Sequence, residues 1–169
     1  VYKRQTEVDA KPASNYLKLI SNFPDPLGRL VGNWHSPSGA EINQVSAPLG
    51  VILFAYQNNP LLTIAASAAA ILSGNSLILF HDNSSPKTVK ACYKLVQAAI
   101  KTSKLPNHSI QLVNSSDKKK LNQIIKEPTI DLVVPLGNSK FINHIQKVSQ
   151  SPVINTQKGP HHMLSLIHI

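Results

Sequence analysis

Three short polar segments of this 169-residue chain carry residue types suited to holding a ligand: Gln57-Asn58-Asn59-Pro60, residues 81–85 with His81 and Asn83, and Gly137-Asn138-Ser139. They offer amides, hydroxyls and an imidazole rather than fixed charges. Each follows an apolar run and precedes a helix-like segment, so backbone N–H groups at the helix starts could help hold a phosphate, favoured by the helix dipole. The same segments read equally as ordinary strand-to-helix turns. The two commonest phosphate-binding glycine patterns, GxGxxG and GxxxxGK[ST], are absent. The single cysteine, Cys92, falls mid-helix beside an apolar stripe, where a small buried hydrophobe is expected rather than a nucleophile. One cysteine excludes an internal disulfide framework and fits a reducing compartment. His161-His162 has no third ligand placed by sequence and is read as an incidental pair, so no metal site is expected.

Alternating strands and helices position these turns. Residues 50–56 form a continuous apolar run of strand length, as in a parallel strand covered on both faces. Pro60 suits the first turn of an alanine-rich helix over 61–72, which Gly74 and Asn75 stop. Residues 76–80 are the next strand, and Pro86 opens a helix to about residue 104 with Val89, Tyr93, Val96 and Ile100 on one face. A strand over 109–113, a helix from Asp117 carrying Leu121, Ile124 and Ile125, and a strand over 130–134 follow. A turn at 137–139, a helix over 140–148 and a last strand over 152–155 complete the alternation. The pattern predicts an α/β, Rossmann-like doubly wound, mainly parallel sheet, with ligands beyond the carboxyl ends of its strands. Upstream, residues 30–35 and 40–46 flank Ser36-Pro37-Ser38-Gly39 and predict an appended β-hairpin.

Composition narrows the partners. Formal charge is +9 and the pI about 9.8, which admits an anionic partner. The lysines are scattered, however, with one dense run at Lys118-Lys119-Lys120, and aromatics make up only 5%. Nucleic acid is therefore disfavoured, since no basic and aromatic residues interleave for base stacking. No stretch approaches the ~20 apolar residues of a membrane span, and neither a signal peptide nor a membrane partner is read.

Specific motifs then accumulate in order. Asp25-Pro26-Leu27-Gly28-Arg29, Gly32-Asn33-Trp34, Ser38-Gly39-Ala40-Glu41-Ile42, Pro48-Leu49-Gly50-Val51 and Ser73-Gly74-Asn75 keep a spacing that resembles the glutamate-5-semialdehyde dehydrogenase (gamma-glutamyl phosphate reductase) family. Leu105-Pro106, residues 131–135 with Gly137, and Pro152-Val153-Ile154 extend the similarity over about residues 15–162. More broadly the chain resembles the aldehyde dehydrogenase superfamily, whose cofactor domain is Rossmann-like without the usual glycine fingerprint.

The resemblance implies NADPH-dependent reduction of L-glutamyl 5-phosphate to L-glutamate 5-semialdehyde in proline biosynthesis, by a cytoplasmic homo-oligomer. A cysteine thiolate attacks the acyl phosphate in that family, and it belongs to a second domain beyond these residues. On this reading residues 15–163 are a truncated NAD(P)-binding domain, residues 1–14 a non-native or partial segment, and 164–169 a non-native tail. The isolated chain is expected to be inactive, and apolar surface that the second domain would cover is expected to be exposed. Cofactor contacts fall to His81, Asn83, Gly137, Asn138 and Ser139. With a one-residue gap, Asn58 aligns with the asparagine that helps form the oxyanion hole in wider aldehyde dehydrogenases, and it reads at least as well as a cap of the following helix.

The departures concentrate where ligands bind. The family's Tyr-Glu-Ser-Arg-Pro is here Tyr56-Gln57-Asn58-Asn59-Pro60, its arginine after the second strand is Phe80, its Pro-Arg-Gly is Pro135-Leu136-Gly137, and its Val-Ile-Glu-Thr-Gly is Val153-Ile154-Asn155-Thr156-Gln157. Phe80 cannot give a cofactor the charge-assisted hydrogen bond of a cation, so weakened binding is expected. Two interpretations stay open: a divergent reductase, or a catalytically degenerate homologue acting as a binding or assembly module. A basic anion- or nucleic-acid-binding domain is a third, less favoured one.

Overall fold

A computed structural model describes residues 7–82, 85–113 and 117–154. The elements in order are α1 (Glu7–Ser21), β1 (Leu30–His35), β2 (Glu41–Val45), β3 (Val51–Tyr56), α2 (Leu62–Leu72), β4 (Ser76–His81), α3 (Pro86–Thr102), β5 (Ile110–Leu112), α4 (Lys118–Ile125), β6 (Leu132–Leu136) and α5 (Ser139–Val148). The apolar runs become a four-stranded parallel sheet in the order β5-β4-β3-β6. Along β3, Val51 to Tyr56 pair with Ser76 to His81 of β4, and Ile52 to Tyr56 pair with Leu132 to Leu136 of β6. The chain steps outward from β3 to β4 to β5, then returns to the far side of β3. The strand order reverses between β3 and β6, and the carboxyl ends of these two strands are the switch point at which open α/β sheets place their ligand crevice.

Side-chain alternation along the strands divides the core into two layers. One face carries Tyr56, Leu77, Leu79 and Ile110 against Ala70 of α2 and Val96 and Ile100 of α3. The other carries Leu53, Ala55, Phe80 and Val133 against Leu121 and Ile125 of α4 and Ile145 of α5. The helices follow the expected rules: Pro86 opens α3, and the Asp117 carboxylate caps α4 by accepting from Lys119 N at 2.9 Å.

Several boundaries differ from expectation for physical reasons. β4 runs one residue further, to His81, because His81 pairs with Tyr56. β6 begins two residues later than expected, because Asp131 is engaged at the foot of β3. Its N–H donates to Val51 O at 2.9 Å and its carboxylate accepts from Val51 N at 2.8 Å. Pro135 is tolerated inside β6 because residues 133 and 135 turn their backbone groups away from β3. Val133 N accordingly donates to Pro152 O, whereas Leu136 O accepts from Gln57 N. The last strand is reduced to one parallel bridge, Val133 with Val153, and Asn155 lies outside the described residues. α1 was hidden by Pro12 within it. Leu17 and Ile20 of α1 line an apolar recess with Ile64 and Ile71 of α2 and Leu95 of α3.

The family-like motifs gather at the amino ends of the strands. Gly50 N donates to Asn75 Oδ1 at 2.9 Å, and Gly50 O accepts from Ser76 N at 3.0 Å. Gly50 has φ +120°, and a Cβ there would collide with the Asp131 carboxylate. Leu27 packs onto Gly74, with its Cδ1 2.9 Å from where a Cβ would stand. Gly28 N donates to Ser46 O at 3.0 Å, and the Ser46 hydroxyl bonds Pro26 O, tying this corner to the hairpin. That hairpin, β1 with β2, pairs Trp34 with Ile42 and exposes Leu30, Val31, Trp34 and Val45.

Candidate functional site

The crevice at the switch point is built by two loops that lie far apart in sequence. After β3, Asn59 N donates to Gln57 O at 2.8 Å, a tight turn that puts the exposed Asn58 at φ +64°. Asparagine tolerates this left-handed conformation better than most residues. Asn59 Oδ1 accepts from Leu61 N at 3.1 Å, so Asn59, rather than Asn58, closes the start of the α2 segment. The alternative of Asn58 as the cap is thereby corrected: a residue at positive φ lies outside the extended geometry a cap adopts.

After β6, Gly137, Asn138 and Ser139 are exposed. Asn138 is the N-cap of α5, its Oδ1 accepting from Phe141 N at 2.9 Å, and Ser139 is the first helical residue. Gln57 joins the two loops. Its backbone N–H donates to Leu136 O at 2.9 Å, and its side-chain Oε1 accepts from Asn138 N at 3.0 Å. Gly137 is required here for space, since a Cβ would sit 2.9 Å from both Cγ and Cδ of Gln57. Gln57 thus ties the turn that carries Asn58 to the loop of Gly137, Asn138 and Ser139. Gln57 stands in one of the three polar segments suited to a ligand, with no partner for it visible in the sequence. Its one sequence signal is the glycine 80 positions later that makes room for it.

His81 is placed differently from the open turn expected of it. It ends β4, is 5% exposed, and sets its ring edge-on to Tyr56 with centroids 4.9 Å apart. Burial lowers its pKa from the usual histidine value, opposed by Asp82, whose Oδ1 lies 3.6 Å from Nε2. Tyr56 OH shares a 2.5 Å hydrogen bond with the Thr63 hydroxyl, and burial pushes its pKa up to about 12 despite that bond. Asn83, His161 and His162 lie outside the described residues. Phe80 is a core residue against α4, and its side chain belongs to the layer opposite His81. Cys92 is buried on the apolar face of α3, and burial raises its thiol pKa. Among the described residues no group of three His, Cys, Asp or Glu side chains could hold a metal ion. Among the same residues no helix is long and apolar enough to cross a membrane.

A sequence profile described as the aldehyde dehydrogenase family matches residues 4–158. The chain belongs to that family. Within the aldehyde dehydrogenase family it is 34% identical over 150 residues to the gamma-glutamyl phosphate reductase of Clostridium tetani, covering 88% of this chain and 35% of that one. The crystal structure of gamma-glutamyl phosphate reductase from Thermotoga maritima superposes with a TM-score of 0.87 at 22% identity, over 92% of this chain and 38% of that one. An engineered glycolyl-CoA reductase solved with bound NADP+ shares the fold, with a TM-score of 0.64 at 11% identity over 88% of this chain and 38% of its own. The chain spans 38% and 32% of the length of two further gamma-glutamyl phosphate reductases it matches.

Proposed function

We propose that this chain is the NADPH-binding domain of a cytoplasmic reductase that converts L-glutamyl 5-phosphate to L-glutamate 5-semialdehyde in proline biosynthesis. The observation that carries the reading is the switch point between β3 and β6, where Gln57 ties the turn carrying Asn58 to the exposed loop of Gly137, Asn138 and Ser139. The residues fit a dinucleotide: Gly137 brings no side chain of its own, only the Gln57 side chain lying over it, and the exposed Ser139 hydroxyl and first α5 amides suit a phosphate. NADPH, when bound, supplies a hydride. The chain's own residues orient the phosphates, and the Asn58 amide at the crevice mouth donates to an oxygen on which negative charge develops. The nucleophilic thiolate comes from outside these residues, since Cys92 is buried on α3. The exposed Leu30, Val31, Trp34 and Val45 of the hairpin suit contact with a second copy.

Titration of the chain with NADPH, followed by nicotinamide fluorescence, tests this. Saturable binding is expected, and Ser139→Asp, which sets a negative charge at the α5 N-terminus, should weaken it about tenfold or more. Absence of saturable binding by the folded chain refutes the reading. The degenerate-homologue reading is favoured by one observation, the Asn138 N–H already being satisfied internally by Gln57. It predicts no NADPH-dependent turnover from a longer protein that includes a downstream cysteine domain.

A further inference from the structure

Gln57 bridges the loops that follow β3 and β6 at the switch point. Its Oε1 takes the Asn138 N–H at 3.0 Å, and its Cγ and Cδ fill the hollow that Gly137 leaves. The Asn138 side chain is itself engaged with Phe141 N. The Asn138 N–H and the Phe141 N–H are therefore both satisfied from within the chain. The backbone bonds of the turn, Gln57 N to Leu136 O and Asn59 N to Gln57 O, do not depend on this side chain. Gln57 is only half-buried, so rotation about its own bonds frees the Asn138 N–H without moving either strand.

We propose that the Gln57 side chain is a built-in stopper of the switch-point crevice, which a dinucleotide phosphate must displace from Asn138 before it can bind. The proposal rests on the cofactor-domain reading above. A phosphate oxygen forms a charge-assisted hydrogen bond stronger than the neutral amide bond it replaces, so displacement is favourable. The neutral bond is nevertheless subtracted from cofactor affinity. Removing it should tighten binding by roughly two- to tenfold, the equivalent of one ordinary hydrogen bond.

The test compares the chain with Gln57→Ala and with Gln57→Asn, which keeps the amide but loses the reach. Two quantities are measured in each: the Kd for NADPH by fluorescence titration, and the hydrogen-exchange rate of the Asn138 amide by NMR. Both variants are expected to bind NADPH more tightly, and their free forms to exchange the Asn138 proton faster than wild type. Equal or weaker binding by both variants, with wild type still binding, overturns the stopper and leaves the cofactor reading intact. An unchanged Asn138 exchange rate in both variants also overturns it. Failure of wild type and both variants to bind NADPH overturns the stopper and the cofactor reading together.

Discussion

Replacing Gly50 by alanine is expected to break the lower corner of the sheet. A non-glycine residue held at φ +120° costs on the order of 1–3 kcal/mol in backbone strain. The new Cβ also collides with the Asp131 carboxylate, which accepts from Val51 N at 2.8 Å and must move away. Asp131 is exposed, so losing that bond costs only about 1–2 kcal/mol, the lower part of the range for hydrogen bonds to charged groups. Together the effects amount to roughly 2–5 kcal/mol, a large share of the ~5–15 kcal/mol typical of a domain, and to a Tm lower by about 5–15 °C. Urea unfolding followed by circular dichroism measures it. The components separate in a double-mutant cycle: in an Asp131→Ala background the collision is gone, and Gly50→Ala should cost only its backbone part. A loss below about 1 kcal/mol for Gly50→Ala alone, or an equal loss in both backgrounds, refutes this account.

The buried histidine and cysteine yield two further expectations. Burial lowers the His81 pKa in the folded state, so the unfolded chain binds the proton more readily. Its contribution to stability is present above the ordinary value of 6.5 and is lost as pH falls below it through the folded value. Urea midpoints should therefore drop between pH 7.5 and pH 5.5, and His81→Phe should flatten that slope; an unchanged slope in the variant excludes His81 as the cause. Cys92, buried with a raised thiol pKa, should react with Ellman's reagent at neutral pH about 100-fold more slowly in the native chain than in urea. Rapid reaction of the native protein contradicts the burial described.

Strand and helix identities were legible wherever local pattern and tertiary placement agreed. The run over 50–56, the alanine-rich helix behind Pro60 and the stripe of α3 all folded as their composition suggests. α1 was not legible, because Pro12 contradicts a helix locally and packing beside α2 overrides that propensity. The shift of β6 was hidden for a related reason: Asp131 reads as an ordinary residue at a strand start until Gly50 is brought beside it by a pairing 81 positions away in sequence. In the site, the turn residues were readable from their types, but their convergence was not. Gln57 meets Asn138 across the same span of chain, and no periodicity encodes such a meeting. His81 was misplaced by one residue, which moved it from an open turn to the packed face beside Tyr56.

Gly50, Asn75 and Asp131 stand at one end of the strands whose other ends carry Gln57, His81 and Gly137. The tightly bonded corner and the candidate ligand loops thus stand at opposite poles of the same β-strands, about 17–20 Å apart for strands of this length. Substitutions at the carboxyl pole leave that corner untouched, and the corner can persist under selection for folding alone. The family motifs at the amino pole therefore report on the scaffold, whereas, on the proposed reading, a change of ligand would be recorded in the few exposed positions around Gln57.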